Sequence, residues 1–383
     1  MATARTLPIT LPDVLGRLDL SEILDAMAHL RVAHWPGACG VPPGELFPVE
    51  EWEQLLLQGG LLKSGLRVTV NGFGVDLQAL KIVENGHLRP LALRKIARQG
   101  ASFIFTDLHC HVPKLWGLAC DAERRLRDRV RISAVASYSK LPALRAHYDG
   151  QDLIQIQIAG TKLWRFFGDS LDCGVNDHPR STPPSEVSAT ATMRPGDLLF
   201  VPSGLHHQCE ADGFSLHLAL LVDHATGRDV VRDMFGEHIT LNRPFRPALG
   251  SESLAEQADR FKQELISRLS ALDIASWIDS WNGMRSGATR LGLIGDPPID
   301  APGAIASLVV SMPPEALAGQ RWKAAGAEFK PGRGAVAVME KLKAGPNPVA
   351  ETLALVAHEL GPEEARAGLD QLVAQGIVQI ESD

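Results

Sequence analysis

The sequence predicts a mainly β core with helical additions, an α+β chain of 383 residues. Three observations carry that prediction. Between residues 101 and 225, short apolar or alternating runs of strand length follow one another between turn signals: SFIFT, RISAVASY, LIQIQI, LWRFF, DLLFVP and FSLHLALLV. Further on, Leu254, Ala258, Phe261, Leu265, Leu269 and Leu272 recur at spacings of three and four, the pattern of an amphipathic helix. From about residue 335, the segments AVAVMEKLKAG, VAETLALVAHELG and PEEARAGLDQLVAQG read as three short helices that run into a strand, IVQIE. Each of the three ends near a glycine, and Pro362 suits a first helical turn.

Taken in order, residues 1–100 mix short helical patterns (Ser21 to Leu30, Val49 to Leu57) with glycine-punctuated segments such as GACGVPPG. Residues 101–242 hold the strands of a β-sandwich or barrel. In LIQIQI the alternation puts Ile154, Ile156 and Ile158 on one face and Gln155 and Gln157 on the other. AGTK then reads as a turn and LWRFF as the return strand of a hairpin. RPFRPALG (243–250) marks a boundary, residues 250–300 form a helical region, and IGDPPIDAPG (294–303) is a second linker. Residues 304–383 make a winged-helix-like domain.

Composition narrows the function. Hydrophobic residues make up 45% and charged residues 22%, ordinary values for a folded soluble protein. Lys and Arg total 38 against 45 for Asp and Glu, so no global field favours a polyanion. From Arg333 onward four basic residues face eight acidic ones, the wrong sign for gripping phosphates, and no DNA partner is expected. The longest core-like run, Leu216 to Val222, is strand-sized and interrupted by a histidine, so no membrane span is expected. The opening MATARTLPITLPDVL lacks the apolar stretch of a secretory signal. The five cysteines, Cys39, Cys110, Cys120, Cys173 and Cys209, are dispersed without a CxxC. Together these features predict a cytoplasmic protein.

The chemistry concentrates in two segments. In RAHYDGQDLIQIQIAGTKLWRFF, His147 and Asp149 stand two apart, so on extended chain both side chains leave the same face. About sixty residues later, MRPGDLLFVPSGLHHQCE carries a strand into a Pro/Gly turn followed by His206 and His207. One of those imidazoles with the earlier pair makes two histidines and one carboxylate. On one face of a metal ion, that set leaves the remaining positions open, as in non-haem Fe(II) oxygenases.

The order of these residues resembles the JmjC-type cupin oxygenases, in particular their ribosomal-oxygenase branch. The resemblance rests on His147-Tyr148-Asp149, on Gln157 through Gly160, Lys162 and Trp164, and on Pro195-Gly196-Asp197 running to Pro202-Ser203-Gly204-Leu205-His206-His207. It implies a double-stranded β-helix, a helical dimerisation region and a winged-helix-like tail. It also implies iron held by His147, Asp149 and His207, with His207 rather than His206 selected by the family spacing. Lys162 matches the family base that pairs with the distal carboxylate of 2-oxoglutarate, and Tyr138 matches a tyrosine that hydrogen-bonds the same carboxylate. Fe(II), 2-oxoglutarate and O2 would together hydroxylate an unactivated C–H. The implied target is Cβ of a histidyl or arginyl side chain in a ribosomal protein. HWPG at His34 to Gly37 is similar to the family's N-terminal element, and the region around Trp277 and Trp281 to its dimerisation domain, so a homodimer is expected. The family's Gly/Pro-rich loop before the first ligand is replaced here by the glycine-free SKLPALRA, at the substrate mouth.

Blander readings attach to the other candidates. Trp164 reads as core, Arg145 as a surface charge with approach to an anionic or peptide substrate as the alternative, and His206 has no assigned role. His217 either faces the pocket or fills a satisfied core site. His109-Cys110-His111 and His206-His207-x-Cys209 lack the paired spacing of a zinc site. Two rival functions stand beside the protein hydroxylase. One keeps the chemistry on a free amino acid or peptide natural product; the other is a non-catalytic cupin scaffold for protein interaction. Methyl-lysine demethylation is disfavoured, because two tyrosines leave little with which to build a methylammonium cage.

Overall fold

The structure is a computed structural model that describes residues 9–57, 65–77, 83–84, 87–169, 186–224, 226–233, 253–271, 275, 300, 304–308, 319, 322–324, 327–343 and 345–381. It divides into two units, Met1–His224 and Ala225–Asp383.

The first unit opens with α1 (Leu11–Leu15), α2 (Leu20–Ala28), β1 (Ala33–Trp35), α3 (Pro43–Leu46) and α4 (Val49–Leu57). The strands β2 (Leu66–Val70) and β3 (Phe73–Gly74) come next, then a short ribbon of β4 (Val83–Glu84) and β5 (His87–Leu88). After α5 (Pro90–Arg98), β6 (Ala101–Phe105) and α6 (Pro113–Leu126), the chain is almost wholly strand. It runs through β7 (Arg129–Ser137), β8 (Asp152–Ala159), β9 (Lys162–Phe167), β10 (Val187–Met193), β11 (Leu198–Val201), β12 (His206–Ala211) and β13 (Ser215–Asp223). An eight-stranded sheet has the order β1-β11-β8-β13-β7-β6-β2-β3, and a three-stranded sheet the order β10-β9-β12. From β8 to β13 the chain passes repeatedly between the two, which makes the expected double-stranded β-helix. Strands from the first hundred residues extend both edges of the large sheet.

Strand periodicity assigns the two faces. Ile154, Ile156 and Ile158 join Ala134, Ala136, Leu216, Leu218 and Leu220 on the outer face, in one cluster with Trp52 of α4 and Leu115 and Leu118 of α6. Each leucine or isoleucine of this set, fully buried, is worth about 1.5–3 kcal/mol. On the other face Leu153, Leu199 and Val201 meet Trp164, Phe166, Ala191 and Met193 of the small sheet. Gln155 and Gln157 are also buried, because they point into the space between the sheets.

The expected AGTK hairpin is not formed. β8 pairs with β11 and β13, whereas β9 pairs with β10 and β12. The turn therefore carries the chain from one sheet to the other. Gly160 makes this possible: its φ is +67°, and a Cβ there would overlap the carbonyl oxygen of Phe214. The crossing delivers Lys162 to the inner face of the small sheet.

In the second unit α7 (Gly227–Asp233) is followed by α8 (Leu254–Ala271), whose start is capped reciprocally by Ser253 and Glu256. Phe261, Leu265 and Leu269 lie half-buried along it, in line with the periodicity, whereas Ala258 of the expected stripe is exposed. Leu272, Trp277, Trp281 and the linker 243–250 lie outside the described residues. Towards the C-terminus, β14 (Ile305–Leu308), the ribbon β15 (Trp322–Ala324) and β16 (Ala327–Phe329), β17 (Asn347–Pro348) and β18 (Val378–Glu381) accompany three helices. The helices, Arg333–Leu342, Val349–Leu360 and Pro362–Ala374, share a core with β14 and β18 through Val338, Leu342, Val356, Leu369, Ala306 and Ile380. The sheet order β17-β14-β18 completes a winged-helix-like arrangement.

Candidate metal centre

His147 and Asp149 lie on the loop that enters β8, and His207 is the second residue of β12. A two-way backbone bridge joins them: His147 N–H donates to the His207 carbonyl at 3.1 Å, and His207 N–H to the His147 carbonyl at 2.7 Å. The Asp149 carbonyl accepts from Gly204 N–H at 2.8 Å, tying the third residue to the turn before β12. The two imidazole rings stand 4.6 Å apart between centroids. Asp149 Oδ2 is 3.8 Å from His147 Nε2 and 3.5 Å from His207 Nε2. Ligand atoms bound to one ion at about 2.0–2.2 Å can be at most about 4.4 Å apart, so both separations admit a shared ion. Among the described residues this triad forms a cluster of possible metal ligands.

Hydrogen bonds fix the tautomers. His147 Nδ1–H donates to the Arg145 carbonyl at 2.8 Å, and His207 Nδ1–H to the Leu205 carbonyl at 3.0 Å. Both Nε2 lone pairs are thereby left towards Asp149, the arrangement that metal-binding histidines use. Burial, reinforced by the neighbouring His147, holds the His207 pKa down at about 4, so its imidazole is neutral near pH 7. His206, one residue earlier on the strand, turns to the opposite face and meets Tyr148 edge-on at 5.1 Å.

Deeper between the sheets lies Lys162, fully buried. Its Nζ donates to His217 Nδ1 at 2.9 Å. Burial pushes the pKa of both groups down. No carboxylate is within ion-pair distance of Lys162 among the described residues. Around it, Ser133 Oγ, Gln155 Oε1, Gln157 Oε1 and Trp164 Nε1 are buried without a hydrogen-bond partner. The register explains the grouping. Ala219 of β13 stands between Ser133 and Gln155, and His217 lies beside Gln157. On β9, Trp164 and Phe166 oppose Cys209 and His207. Trp164 contacts both sites, with its ring centroid 5.5 Å from that of His207 and 5.7 Å from that of His217. An amine lacking an anion, with unpaired polar atoms on the neighbouring inner faces, fits a buried anionic group.

Not every expected residue joins this wall. Tyr138 continues β7 one residue past Ser137, so the alternation turns it to the outer face. There it packs against Phe103 and Phe214, at centroid distances of 5.5 and 5.2 Å, and its hydroxyl accepts from Trp52 Nε1 at 3.2 Å. The expectation that Tyr138 holds the oxoglutarate carboxylate is corrected on that ground. His217, Cys209, Gln155 and Ser133 are the inner-face residues that sequence reasoning left without a role; the period-2 pattern of β7, β8 and β13 was the available signal. HWPG is structural: Asp197 accepts from Gly37 N–H at 2.8 Å, Arg194 N–H at 2.8 Å and His34 Nε2–H at 3.2 Å. Those bonds clasp β1 to the Pro-Gly-Asp turn. His109 stacks on Trp116 and its Nδ1 accepts from Ile132 N–H, so it serves packing.

Outside the triad a cleft of about 410 Å³ is lined by Arg67, Thr69, Leu144, Arg145, Tyr148 and the two ligands of that loop, with glycines at its rim.

Residues 115–230 match the family profile of the JmjC domain. The chain carries a JmjC domain. The triad, Lys162 and His217 all lie within it. Among curated proteins the chain is 24% identical over 172 residues to the bifunctional lysine-specific demethylase and histidyl-hydroxylase NO66 of Dictyostelium discoideum, covering 43% of this chain and 33% of that protein. It is 26% identical over 145 residues to ribosomal oxygenase 2 of Mus musculus, covering 36% of this chain and 30% of that protein. The chain thus spans about a third of the length of the curated relatives it matches. Its fold is that of YcfD, a ribosomal oxygenase from Escherichia coli solved in complex with cobalt and 2-oxoglutarate. That likeness has a TM-score of 0.57 at 15% identity, covering 96% of this chain and 99% of that one. It extends beyond residues 115–230.

Proposed function

We propose that the protein is an Fe(II)- and 2-oxoglutarate-dependent oxygenase that hydroxylates a histidyl or arginyl side chain of a ribosomal protein at Cβ. The observation that carries this reading is the fully buried, anion-less Lys162 on the inner wall shared with His147, Asp149 and His207. The names of the relatives, a histidyl-hydroxylase and ribosomal oxygenases, supply the substrate class.

His147, Asp149 and His207 would hold the iron through two neutral imidazole nitrogens and one carboxylate oxygen, a set that suits Fe(II) and leaves one side for co-substrates. Bound there, iron supplies the activation of dioxygen that couples decarboxylation of 2-oxoglutarate to hydroxylation, giving succinate, carbon dioxide and R–OH from R–H. Lys162 binds the distal carboxylate, whose charge offsets the burial that disfavours the charged amine. His217 orients the amine through Nδ1. Trp164 fills the space between His207 and His217 and keeps water from the reacting atoms. Arg145 and Leu205 carbonyls hold the two imidazoles in the ligating tautomer. The protein's share of catalysis is positioning and exclusion of water.

The half-buried apolar stripe of α8 supports a homodimer built on the helical region. Cys39, Cys110, Cys120 and Cys209 form no disulfide among the described residues, in keeping with a reducing compartment such as the cytoplasm.

The test is iron-reconstituted protein, prepared anaerobically and given 2-oxoglutarate, air and a ribosomal-protein digest. Succinate together with a peptide heavier by one oxygen, both lost in His207→Ala, is the expected result. Succinate without a modified peptide would move the substrate to small molecules, and neither product with no iron bound would leave a scaffold.

A further inference from the structure

The geometry points to a substrate segment that presents a carboxylate to Arg67 and Arg145 at the mouth of the metal centre, beside a hydroxylated residue that is itself not cationic. This inference rests on the oxygenase reading and names the substrate class that the site prefers.

The cleft outside the triad is lined by two guanidinium groups, and the only carboxylate among its lining residues is Asp149, which belongs to the triad. Neither arginine has an ion-pair partner among the described residues. Arg145 is nonetheless held in place. Its guanidinium carbon lies 4.0 Å from the centroid of the Phe73 ring, a ring that is 54% exposed and so has little core to fill. Its stem crosses Gly72, where φ is +77° and a Cβ would come within 2.9 Å of Arg145 Cγ. Its carbonyl accepts the Nδ1–H of His147, so the backbone that places this cation also orients a metal ligand. Arg67 faces the same cleft from β2, beside Thr69, whose hydroxyl donates to the Ala143 carbonyl at 2.6 Å and ties β2 to the ligand loop.

Two cations at the entrance act in opposite senses on the candidate substrates. A lysyl or arginyl side chain passing between them meets like charge, whereas an aspartyl or glutamyl carboxylate can be gripped by the guanidinium fork. Because the charges sit at the rim, selectivity acts on the residues flanking the target as much as on the target itself. A neutral imidazole flanked by an acidic residue satisfies both demands, whereas a guanidinium target fails the first whatever flanks it. Of the two side chains proposed above, the structure therefore favours histidyl.

The test uses the full chain loaded with cobalt(II) and 2-oxoglutarate, with three fluorescent peptides that carry a central histidine flanked by glutamate, alanine or lysine. Anisotropy is expected to give tighter binding of the glutamate peptide than of the lysine peptide by about ten-fold or more at low salt, shrinking as salt is added. The preference should fall in Arg145→Gln and vanish in the Arg67→Gln/Arg145→Gln pair, with circular dichroism reporting that the variants are folded. Arg145→Lys, which keeps the charge, should retain part of it. Equal or tighter binding of the lysine peptide overturns the inference, as does a glutamate preference that the double variant keeps in full. Succinate formation by the wild-type iron protein without peptide is followed in parallel. Its absence sinks the oxygenase reading, while the peptide preference still decides the charge inference.

Discussion

Lys162 and His217 meet across the gap between the two sheets, amine to imidazole at 2.9 Å, with both side chains buried. Neither gains from a charge in that position, since burial lowers the pKa of both. The pair is a binding device whose cost in the free protein is recovered only when an anion arrives.

That cost can be measured. Lys162→Met removes a buried amine while keeping its length and apolar stem. It is expected to raise the stability of the ligand-free protein by about 1–3 kcal/mol in urea unfolding. The same variant should weaken 2-oxoglutarate binding by roughly 100-fold, as loss of a charge-assisted hydrogen bond requires. Calorimetry on the cobalt-loaded protein reads the affinity. A variant that is both less stable and normal in binding would remove Lys162 from the site.

His217→Phe keeps a ring against Trp164 and deletes the acceptor for the Lys162 amine. Affinity for 2-oxoglutarate should fall by about 5- to 20-fold, the worth of one neutral hydrogen bond plus misorientation, with cobalt(II) affinity unchanged. Equal loss of both would mean that His217 shapes the whole interior rather than Lys162.

Tyr138→Phe tests the corrected role. Among the described residues the hydroxyl accepts from Trp52 alone, on the outer face, so its removal should cost about 0.5–1.5 kcal/mol of stability. The dissociation constant for 2-oxoglutarate should stay within about twofold, a change too small to represent a lost ligand contact. A ten-fold weakening would put Tyr138 back at the carboxylate.

His224 sets a pH dependence of its own. It lies between Asp128 at 2.6 Å and Asp152 at 2.9 Å, and hydrogen bonds from its ring to those two carboxylates raise its pKa from 6.5 to about 10. The folded state therefore holds this proton more tightly than the unfolded chain. The stabilisation is fully present below about pH 6.5 and is lost as pH rises towards 10. Because 37% of the side chain is exposed, solvent screening reduces the contribution to about 1–2 kcal/mol. Denaturant titrations at pH 6.5 and 10 should show that loss in the wild type and a flatter profile in His224→Gln. Asp152 also accepts from Ser203 N–H at 2.7 Å, so the same variant should loosen the turn leading to His207 and weaken cobalt(II) binding modestly.

How much was legible in the sequence depended on distance along the chain. His147 and Asp149 are two residues apart and His206-His207 follows a Pro/Gly turn, so local spacing suggested two histidines and one carboxylate, while the choice of His207 over His206 came from the family resemblance. Lys162 was named by the family resemblance alone, and the turn before it proved to cross between sheets. Short strands, the helix 254–271 and the C-terminal helices were legible for the same reason: burial of one face imprints a period of two or 3.6 on nearby residues. Tertiary structure alone decided which face each period served. A one-residue offset separates Ser137, turned inward, from Tyr138, turned outward, and no composition or spacing reveals that sign. Nor does sequence disclose the meeting of Lys162 with His217, of His224 with two distant aspartates, or of Arg67 with the Arg145 loop. Those contacts join residues 55 or more positions apart. His224 meets its aspartates because β13 pairs with β7 and β8, whereas Lys162 and His217 meet because the two sheets face one another.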